Sequence, residues 1–173
     1  MIERLRSQKA FNKGKPLSII LAPTRELALQ ISKEANALKH HDREYNVLTV
    51  YGGTPMDEQT YQLRRGVDIL VGTCGRVIDH IERRNIDFSN IKYMVLDEAD
   101  QMLNMGFQEP VEQIISTIKK EGPKDYQSLL FSATVPKWVQ DVARNMLKPG
   151  HGSVDLVRDL KNKTAKKVEH LAI

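Results

Sequence analysis

Short, unbroken apolar runs recur along this chain, and a segment with helical periodicity follows each of them. Ile19-Ile20-Leu21 and Met94-Val95-Leu96 are two of these runs. Uninterrupted hydrophobicity over the length of a strand is typical of strands that are covered on both faces. The alternation therefore predicts an α/β fold, an open, doubly wound parallel sheet with right-handed crossovers and helices on both faces.

The predicted elements cover most of the chain between two polar ends. Strands are predicted over residues 17–22, 46–51, 68–72, 91–97 and 127–132. Helices are predicted over residues 24–39, 56–65, 75–84, 109–120 and 136–147. Residues 1–16 have the pattern of a helix end followed by a Lys/Gly/Pro loop, and residues 157–173 have that of a Lys-rich linker.

The composition argues against several classes of protein. Apolar residues make up 40% of the 173 residues and charged residues 28%, which is ordinary for one folded domain and not for a disordered chain. No apolar stretch approaches the ~20 residues that cross a bilayer, so no membrane partner is expected. A single cysteine, Cys74, fits an intracellular, reducing compartment. The net charge of +4 permits a polyanionic partner, although a mixed surface gives the same sum.

Two adjacent acids follow the most apolar strand. Asp97-Glu98-Ala99-Asp100 comes directly after Met94-Val95-Leu96, at the carboxyl end of a parallel strand, where α/β proteins bind ligands. One carboxylate can hold Mg²⁺ through its water shell, and the next can position a water that attacks a phosphoryl group. The alternative is a helix whose first turn carries acids because they interact favourably with the helix dipole.

Two strand-to-helix turns combine a threonine with an arginine. They are Pro23-Thr24-Arg25 and Thr73-Cys74-Gly75-Arg76. A helix N-terminus with a cation beside it can bind a phosphate, and two of them at one end of a sheet suggest a track for successive phosphates. Such contacts fix the position of a nucleic acid and do not read its sequence. The alternative for each turn is a well-capped helix with a solvated arginine.

Two further turns carry glycines or hydroxyls. Gly52 and Gly53 either let backbone amides approach a ligand or permit a positive φ in a turn. Ser132 and Thr134 follow the last predicted strand. Their hydroxyls could hydrogen-bond Asp100 and couple the two turns, or simply cap the next helix.

Together these segments resemble the DEAD-box RNA helicases. PTRELA at 23–28, GG at 52–53, T-x-G-R at 73–76, DEAD at 97–100 and SAT at 132–134 occur in the order and spacing of that family. The resemblance runs over roughly residues 1–158. Residues 100–107 and 168–173 look like the nucleolar Gu-type branch (nucleolar RNA helicase II).

The resemblance implies a RecA-like first lobe that uses ATP and Mg²⁺ and binds RNA mainly through its phosphate backbone. Asp97 would hold the metal through water, and Glu98 would orient or deprotonate the attacking water. Asp100, Ser132 and Thr134 would link hydrolysis to strand separation. The residues that would line the RNA path are Pro23, Thr24, Arg25, Gly52, Gly53, Thr73, Gly75 and Arg76.

The chain departs from the family pattern at one residue and in three segments that it does not contain. Cys74 stands where relatives usually carry proline, which predicts a slightly less rigid loop. A G-x-x-x-x-G-K-[ST] loop, the upstream glutamine element and a second RecA-like lobe are missing from the 173 residues. We therefore expect residues 1–158 to be a partial, N-terminally truncated lobe and residues 159–173 a linker toward a second lobe. We also expect impaired ATP and Mg²⁺ binding and an inactive isolated chain.

The function predicted from the sequence is a part of an ATP-dependent RNA helicase that unwinds or remodels RNA duplexes. A non-catalytic RNA-binding or interaction module is the alternative, favoured by the missing loop but not by the intact Asp97–Glu98 pair; a DNA-directed relative is a third. The resemblance implies the nucleus or nucleolus and leaves the cytoplasm open. An uncovered edge beside the 127–132 strand predicts self-association, or a gap filled by residues 1–16 or 157–173.

Overall fold

The computed structural model describes residues 1–2, 15–39 and 45–155. Within them, five strands form one sheet in the order β2-β3-β1-β4-β5, and every pair of neighbours is parallel. The strands are β1 (Ser18–Ala22), β2 (Val47–Val50), β3 (Ile69–Thr73), β4 (Tyr93–Leu96) and β5 (Gln127–Leu130). The predicted parallel sheet and each predicted strand are confirmed, with ends that shift by one or two residues.

Six helices connect and cover these strands in the described part of the chain. They are α1 (Arg25–Ala37), α2 (Met56–Arg65), α3 (Cys74–Glu82), α4 (Ala99–Asn104), α5 (Gln108–Glu121) and α6 (Lys137–Met146). The sequence did not predict α4, because six residues are too few to show a helical period. Among the described residues, no helix has the length and hydropathy of a bilayer span.

The core has two parts, one on each face of the sheet. Ile19 and Leu21 pack with residues from α2 to α6, whereas Ile20 and Ala22 pack with residues of α1. Successive strand residues point to opposite faces, so the unbroken apolar runs fill both parts. The predicted helices on both faces are confirmed, although the described helices cover the two faces unequally.

Because all the strands are parallel, the five turns that follow them lie together at the carboxyl ends of the strands. The turns follow β1, β2, β3, β4 and β5 in chain order, but the sheet places them in the spatial order β2, β3, β1, β4, β5. All the site residues predicted from the sequence lie in or beside these turns. The predicted linker at residues 159–173 and the predicted loop before Lys15 lie outside the described residues.

Candidate active site

The turn after β1 begins a capped helix with an exposed cation. Thr24 has extended backbone angles (φ −125°, ψ 156°), and its Oγ1 accepts a hydrogen bond of 3.2 Å from the amide of Leu27. The predicted N-cap is therefore confirmed. Arg25 is exposed, and its guanidinium carbon lies 4.8 Å from the centroid of the Tyr51 ring. This cation–π contact, which the sequence did not predict, holds Arg25 toward the turn after β2.

The glycines of the candidate site fall into two groups. The fold itself requires glycine at Gly53 and Gly72 but not at Gly52 and Gly75. Gly53 has a φ of +87°, a conformation that L side chains rarely adopt. Gly52 and Gly75 have no such φ, and a Cβ added at either would meet no described atom within 4 Å. Gly72 differs, because its Cβ would lie 2.6 Å from a methyl of Val77. The bare backbone at Gly52 and Gly75 therefore leaves room for a ligand to approach the amides.

The turn after β3 differs from the turn after β1, although their sequences are similar. Thr73 occupies the N-cap position of α3, but its hydroxyl makes no capping hydrogen bond within the described turn. The Arg76 side chain is only 11% exposed. Its Nη1 donates to the carbonyl oxygen of Thr54 at 2.9 Å and to Oε1 of Gln59 at 3.1 Å. Arg76 therefore ties the turn after β2 to the start of α3.

A buried polar cluster behind these turns was missed by the sequence analysis. Gln59 and His80 are buried, with their Oε1 and Nε2 atoms 3.0 Å apart. Nδ2 of Asn85 lies 3.1 Å from Nδ1 of His80. The pKa of His80 is lowered to about 4, chiefly by burial and also by the nearby charges of Arg76 and Arg83, while Asp79 opposes them. His80 is therefore neutral at physiological pH.

Cys74 is a packing residue. It is fully buried, and its Sγ lies 3.9 Å from Sδ of Met102. Burial raises the pKa of its thiol to about 12. Because the thiolate is the reactive form, Cys74 is not a nucleophile.

The two acids after β4 are accessible, and one has an unusual backbone. Glu98 is exposed and has left-handed backbone angles (φ 50°, ψ 52°). Among the described residues only Arg84 shares a positive φ without being glycine. Such a conformation costs energy and tends to occur at functional sites. Oδ1 of Asp97 accepts a hydrogen bond of 3.0 Å from the amide of Glu98, so the two residues are held together.

The carboxylate oxygens after β4 suit a metal ion that is bound largely through water. The described residues contain no cluster of three His, Cys, Asp or Glu side chains that could hold a metal ion directly. Asp97 is half-buried and offers one carboxylate at the carboxyl end of β4. Mg²⁺ often keeps several waters and binds through one or two carboxylates. The residues present therefore fit the water-mediated Mg²⁺ that the sequence predicts.

Asp100 links the turn after β4 to the turn after β5. Its Oδ2 accepts hydrogen bonds from the amide of Thr134 at 2.9 Å and from the hydroxyl of Thr134 at 2.7 Å. Oγ of Ser132 accepts from the amide of Asp100 at 3.2 Å and donates to the carbonyl of Thr134 at 2.6 Å. Burial raises the pKa of Asp100, but the bonds from Thr134 and Ser132 outweigh it and leave the pKa below its usual value. The predicted contacts are confirmed, with the acid ionised.

Comparison with known proteins gives a consistent set of relatives. The DEAD/DEAH box helicase family matches residues 1–142. Mouse ATP-dependent RNA helicase DDX50 is 47% identical over 176 aligned positions, which cover 100% of this chain and 24% of the mouse protein. Rat nucleolar RNA helicase 2 is 46% identical over 159 positions, which cover 91% of this chain and 20% of the rat protein. The chain spans about a quarter or less of the length of these curated relatives.

A solved structure shows the same architecture. The crystal structure of the yeast DEAD-box splicing factor Prp28 superposes with a TM-score of 0.79 and 31% sequence identity. The similarity covers 85% of this chain and 35% of the yeast chain. The predicted RecA-like fold is confirmed by this neighbour and by the five-stranded parallel sheet.

Proposed function

The chain belongs to the DEAD/DEAH box helicase family, and on that premise we propose that it is part of an ATP-dependent RNA helicase that unwinds or remodels RNA duplexes. Residues 1–158 are part of the first RecA-like lobe, and residues 159–173 lead toward a second lobe that is its partner within the same protein. The names of mouse DDX50 and rat nucleolar RNA helicase 2 support an RNA substrate. The second name also supports the nucleus or nucleolus, with the cytoplasm as the alternative.

One observation carries this proposal, namely the spatial order of the five turns. The turns after β2, β3 and β1 lie next to one another in the sheet, and they hold the glycines and the two Thr/Arg helix starts. The turns after β4 and β5 lie beyond them, and they hold the acids and the hydroxyls. The sheet thus separates a half suited to a phosphate backbone from a half suited to phosphoryl chemistry, and the two halves meet where β1 lies beside β4.

The first half binds the RNA backbone. The exposed guanidinium of Arg25 and the amides at the start of α1 offer charge and donors to a phosphate. The open backbone at Gly52 and Gly75 lets further amides reach the strand. Pro23, Thr24, Gly53, Thr73 and Arg76 shape the same path. Because these contacts meet phosphates and not bases, binding is sequence-independent and weakens as salt rises.

The second half hydrolyses ATP. Asp97 would hold Mg²⁺ through water, and the metal would supply positive charge that neutralises the phosphates. Glu98, whose side chain is exposed, orients the attacking water and accepts its proton. Asp100 passes changes at the acids to Ser132 and Thr134 through the hydrogen bonds described above. For the 173-residue chain alone we propose impaired ATP binding, since it has no G-x-x-x-x-G-K-[ST] segment to hold the phosphates.

A non-catalytic RNA-binding module is the second candidate function. The turns after β1, β2 and β3 would bind RNA equally well in such a module. A module that does not hydrolyse ATP would not need the accessible Asp97–Glu98 pair or its strained backbone. The two candidates therefore differ in what they predict for Glu98.

Two substitutions in the full-length helicase test the proposal. We expect Glu98→Gln to reduce RNA-stimulated phosphate release by 100-fold or more, on the order of the loss of a general base, while RNA binding is retained. Arg25→Gln should weaken RNA binding and reduce its salt dependence by about one phosphate contact, with phosphate release retained at saturating RNA. Normal turnover in Glu98→Gln would favour the non-catalytic module, and unchanged RNA binding in Arg25→Gln would contradict the proposed RNA path.

A further inference from the structure

Gln59 is the centre of the buried cluster that joins the turn after β2 to α3. Its Oε1 accepts from Nη1 of Arg76 at 3.1 Å and lies 3.0 Å from Nε2 of His80. Its Nε2 donates to the carbonyl of Tyr51 at 3.2 Å and to the hydroxyl of Thr54. Each half of the amide therefore has two partners of the correct kind, and a flipped amide would lose the bonds to Nη1 of Arg76 and to the carbonyl of Tyr51.

The donor and acceptor roles of the remaining members follow from these contacts. Nδ1 of His80 faces the amide nitrogen of Asn85, which can only donate, so Nδ1 accepts and Nε2 carries the proton that goes to Gln59. The amide of Asn85 also donates to the hydroxyl of Thr60 at 3.0 Å. Three elements, the turn after β2, α2 and α3, are thus fixed to one another by a polar cluster whose central members, Gln59 and His80, are buried.

We propose that Gln59, His80 and Arg76 are positioning residues of the RNA path, which act by holding the Gly52–Gly53 turn in its binding geometry against the start of α3. This inference rests on the proposed RNA-binding function and assigns the mechanism by which one part of it is achieved. Arg76 contributes to RNA binding through the turn that it holds, whereas Arg25 contacts the phosphate directly.

The exposure of the two arginines supports this division of roles. Arg76 is 11% exposed, its Nη1 is used by Thr54 and Gln59, and its Nε lies 3.4 Å from Asp79. Arg25 is exposed, and its guanidinium carbon lies over the Tyr51 ring. Nη1 of Arg76 is engaged by the turn and the side chain is largely buried, so the more accessible charge for RNA on this side is that of Arg25.

A turn with two adjacent glycines benefits from such external support. Glycine loses more conformational freedom on ordering than any other residue, and no described neighbour packs where the Cβ of Gly52 or Gly53 would be. If the turn were mobile, RNA would have to order it at the moment of binding and affinity would fall. The hydrogen bonds from Arg76 and Gln59 to Thr54 and Tyr51 remove that cost in advance.

The test is a salt series of RNA binding with the 173-residue chain and a single-stranded oligouridine of about ten nucleotides, within the site sizes usual for such grooves. We expect Gln59→Met and Arg76→Gln each to weaken binding by about tenfold without changing the salt slope. The double variant should bind no more weakly than the weaker single one, because both disrupt the same turn. Arg25→Gln should instead lower the slope by about one.

Three controls separate positioning from loss of the fold. Leu63→Val, one helical turn from Gln59 and facing the core, should lower the melting temperature without changing RNA affinity. His80→Gln keeps a donor for Gln59 and should retain affinity that His80→Leu loses. Amide hydrogen exchange at Gly52 and Gly53, measured without RNA, should become faster in Gln59→Met and in Arg76→Gln but not in Arg25→Gln.

The outcomes distinguish this inference from the function on which it rests. A wild-type chain that does not bind RNA, or an Arg25→Gln chain with the wild-type slope, would overturn the proposed function. Wild-type affinity in Gln59→Met, unchanged exchange at Gly52 and Gly53, or fully additive losses in the double variant would overturn the inference alone. A salt slope lowered by Arg76→Gln as much as by Arg25→Gln would show that Arg76 is a phosphate ligand.

Discussion

Arg25 and Arg76 follow a threonine at the start of a helix, yet their environments differ. Arg25 is exposed beside the Tyr51 ring, whereas Arg76 is largely buried and bound to Thr54 and Gln59. The local sequence around each residue contains no information about this, because the partners of Arg76 lie 17 and 22 positions away. The same limit applies to Asp100 and Thr134, whose contact depends on β5 lying beside β4.

His80 should make the stability of the chain depend on pH. Its pKa is lowered from 6.5 to about 4, so between these values the unfolded state binds a proton that the folded state does not. Stability is therefore lost as pH falls from about 6.5 toward 4, by up to about 3 kcal/mol at 1.4 kcal/mol per unit. Urea unfolding at pH 7 and pH 4.5 checks this, with His80→Gln as the variant that removes the ionisable group.

Comparing the wild-type chain with His80→Gln separates the effect of His80 on stability from the effects of other titrating groups. Asp68 and Asp100 titrate in both proteins, so their effects cancel in the difference. We expect the loss of stability between pH 7 and pH 4.5 to be smaller in His80→Gln by about 2 kcal/mol. An equal loss in both would show that His80 is protonated in the folded state at pH 4.5.

At the scale of elements, β5 differs from the other strands. β1 and β4 are buried throughout, but β5 lies at the edge of the described sheet and is exposed or half-buried. An open groove of about 660 Å³ runs along it, lined in part by Phe131 and Val154. Phe131 is 54% exposed and Val154 is 85% exposed. An apolar edge of this kind is a template for pairing with another strand.

We expect the 173-residue chain to self-associate along the β5 edge, because strand pairing there would cover the exposed ring of Phe131. Phe131→Lys should shift the association to higher protein concentration, since a lysine at an edge opposes strand pairing. Tyr61→Lys is the matched control, because Tyr61 is an equally exposed aromatic side chain, 63% exposed, on α2. Size-exclusion chromatography with light scattering measures the effect, and a wild-type monomer at every concentration would contradict the expectation.

Strand positions could be predicted because their apolar runs are local, whereas other features could not. The runs at Ile19 and Met94 are buried in the structure, and a short unbroken apolar run is the pattern typical of a strand covered on both faces. The six residues of α4 follow a left-handed Glu98, and a six-residue segment has no readable period. Gln59 lies on a mostly polar helix where nothing in the sequence distinguishes a buried amide from a solvated one. The positions of the turns could therefore be predicted from the sequence, but the hydrogen bonds that hold the turns in place could not.

At the scale of the whole molecule, the parallel sheet brings motifs from five separate segments together on two adjoining surfaces. Along the chain the acids come after all three turns assigned to RNA and before the hydroxyls. Because β1 lies between β3 and β4, the turns after β2, β3 and β1 become continuous, and the acids meet the hydroxyls at the other end. Asp100 then ties the catalytic turns together, and Arg76 and Arg25 tie the RNA-facing turns together.

The most direct measurement of this arrangement is a map of RNA contacts on the folded chain by amide NMR, with a single-stranded oligouridine as the ligand. We predict that the amide signals of Arg25, Gly52, Gly53 and Gly75 shift on titration and that those of Glu98 and Thr134 do not. Shifts concentrated at Glu98 and Thr134, or on helices remote from the carboxyl edge of the sheet, would contradict the separation of the five turns into an RNA-binding half and a hydrolytic half.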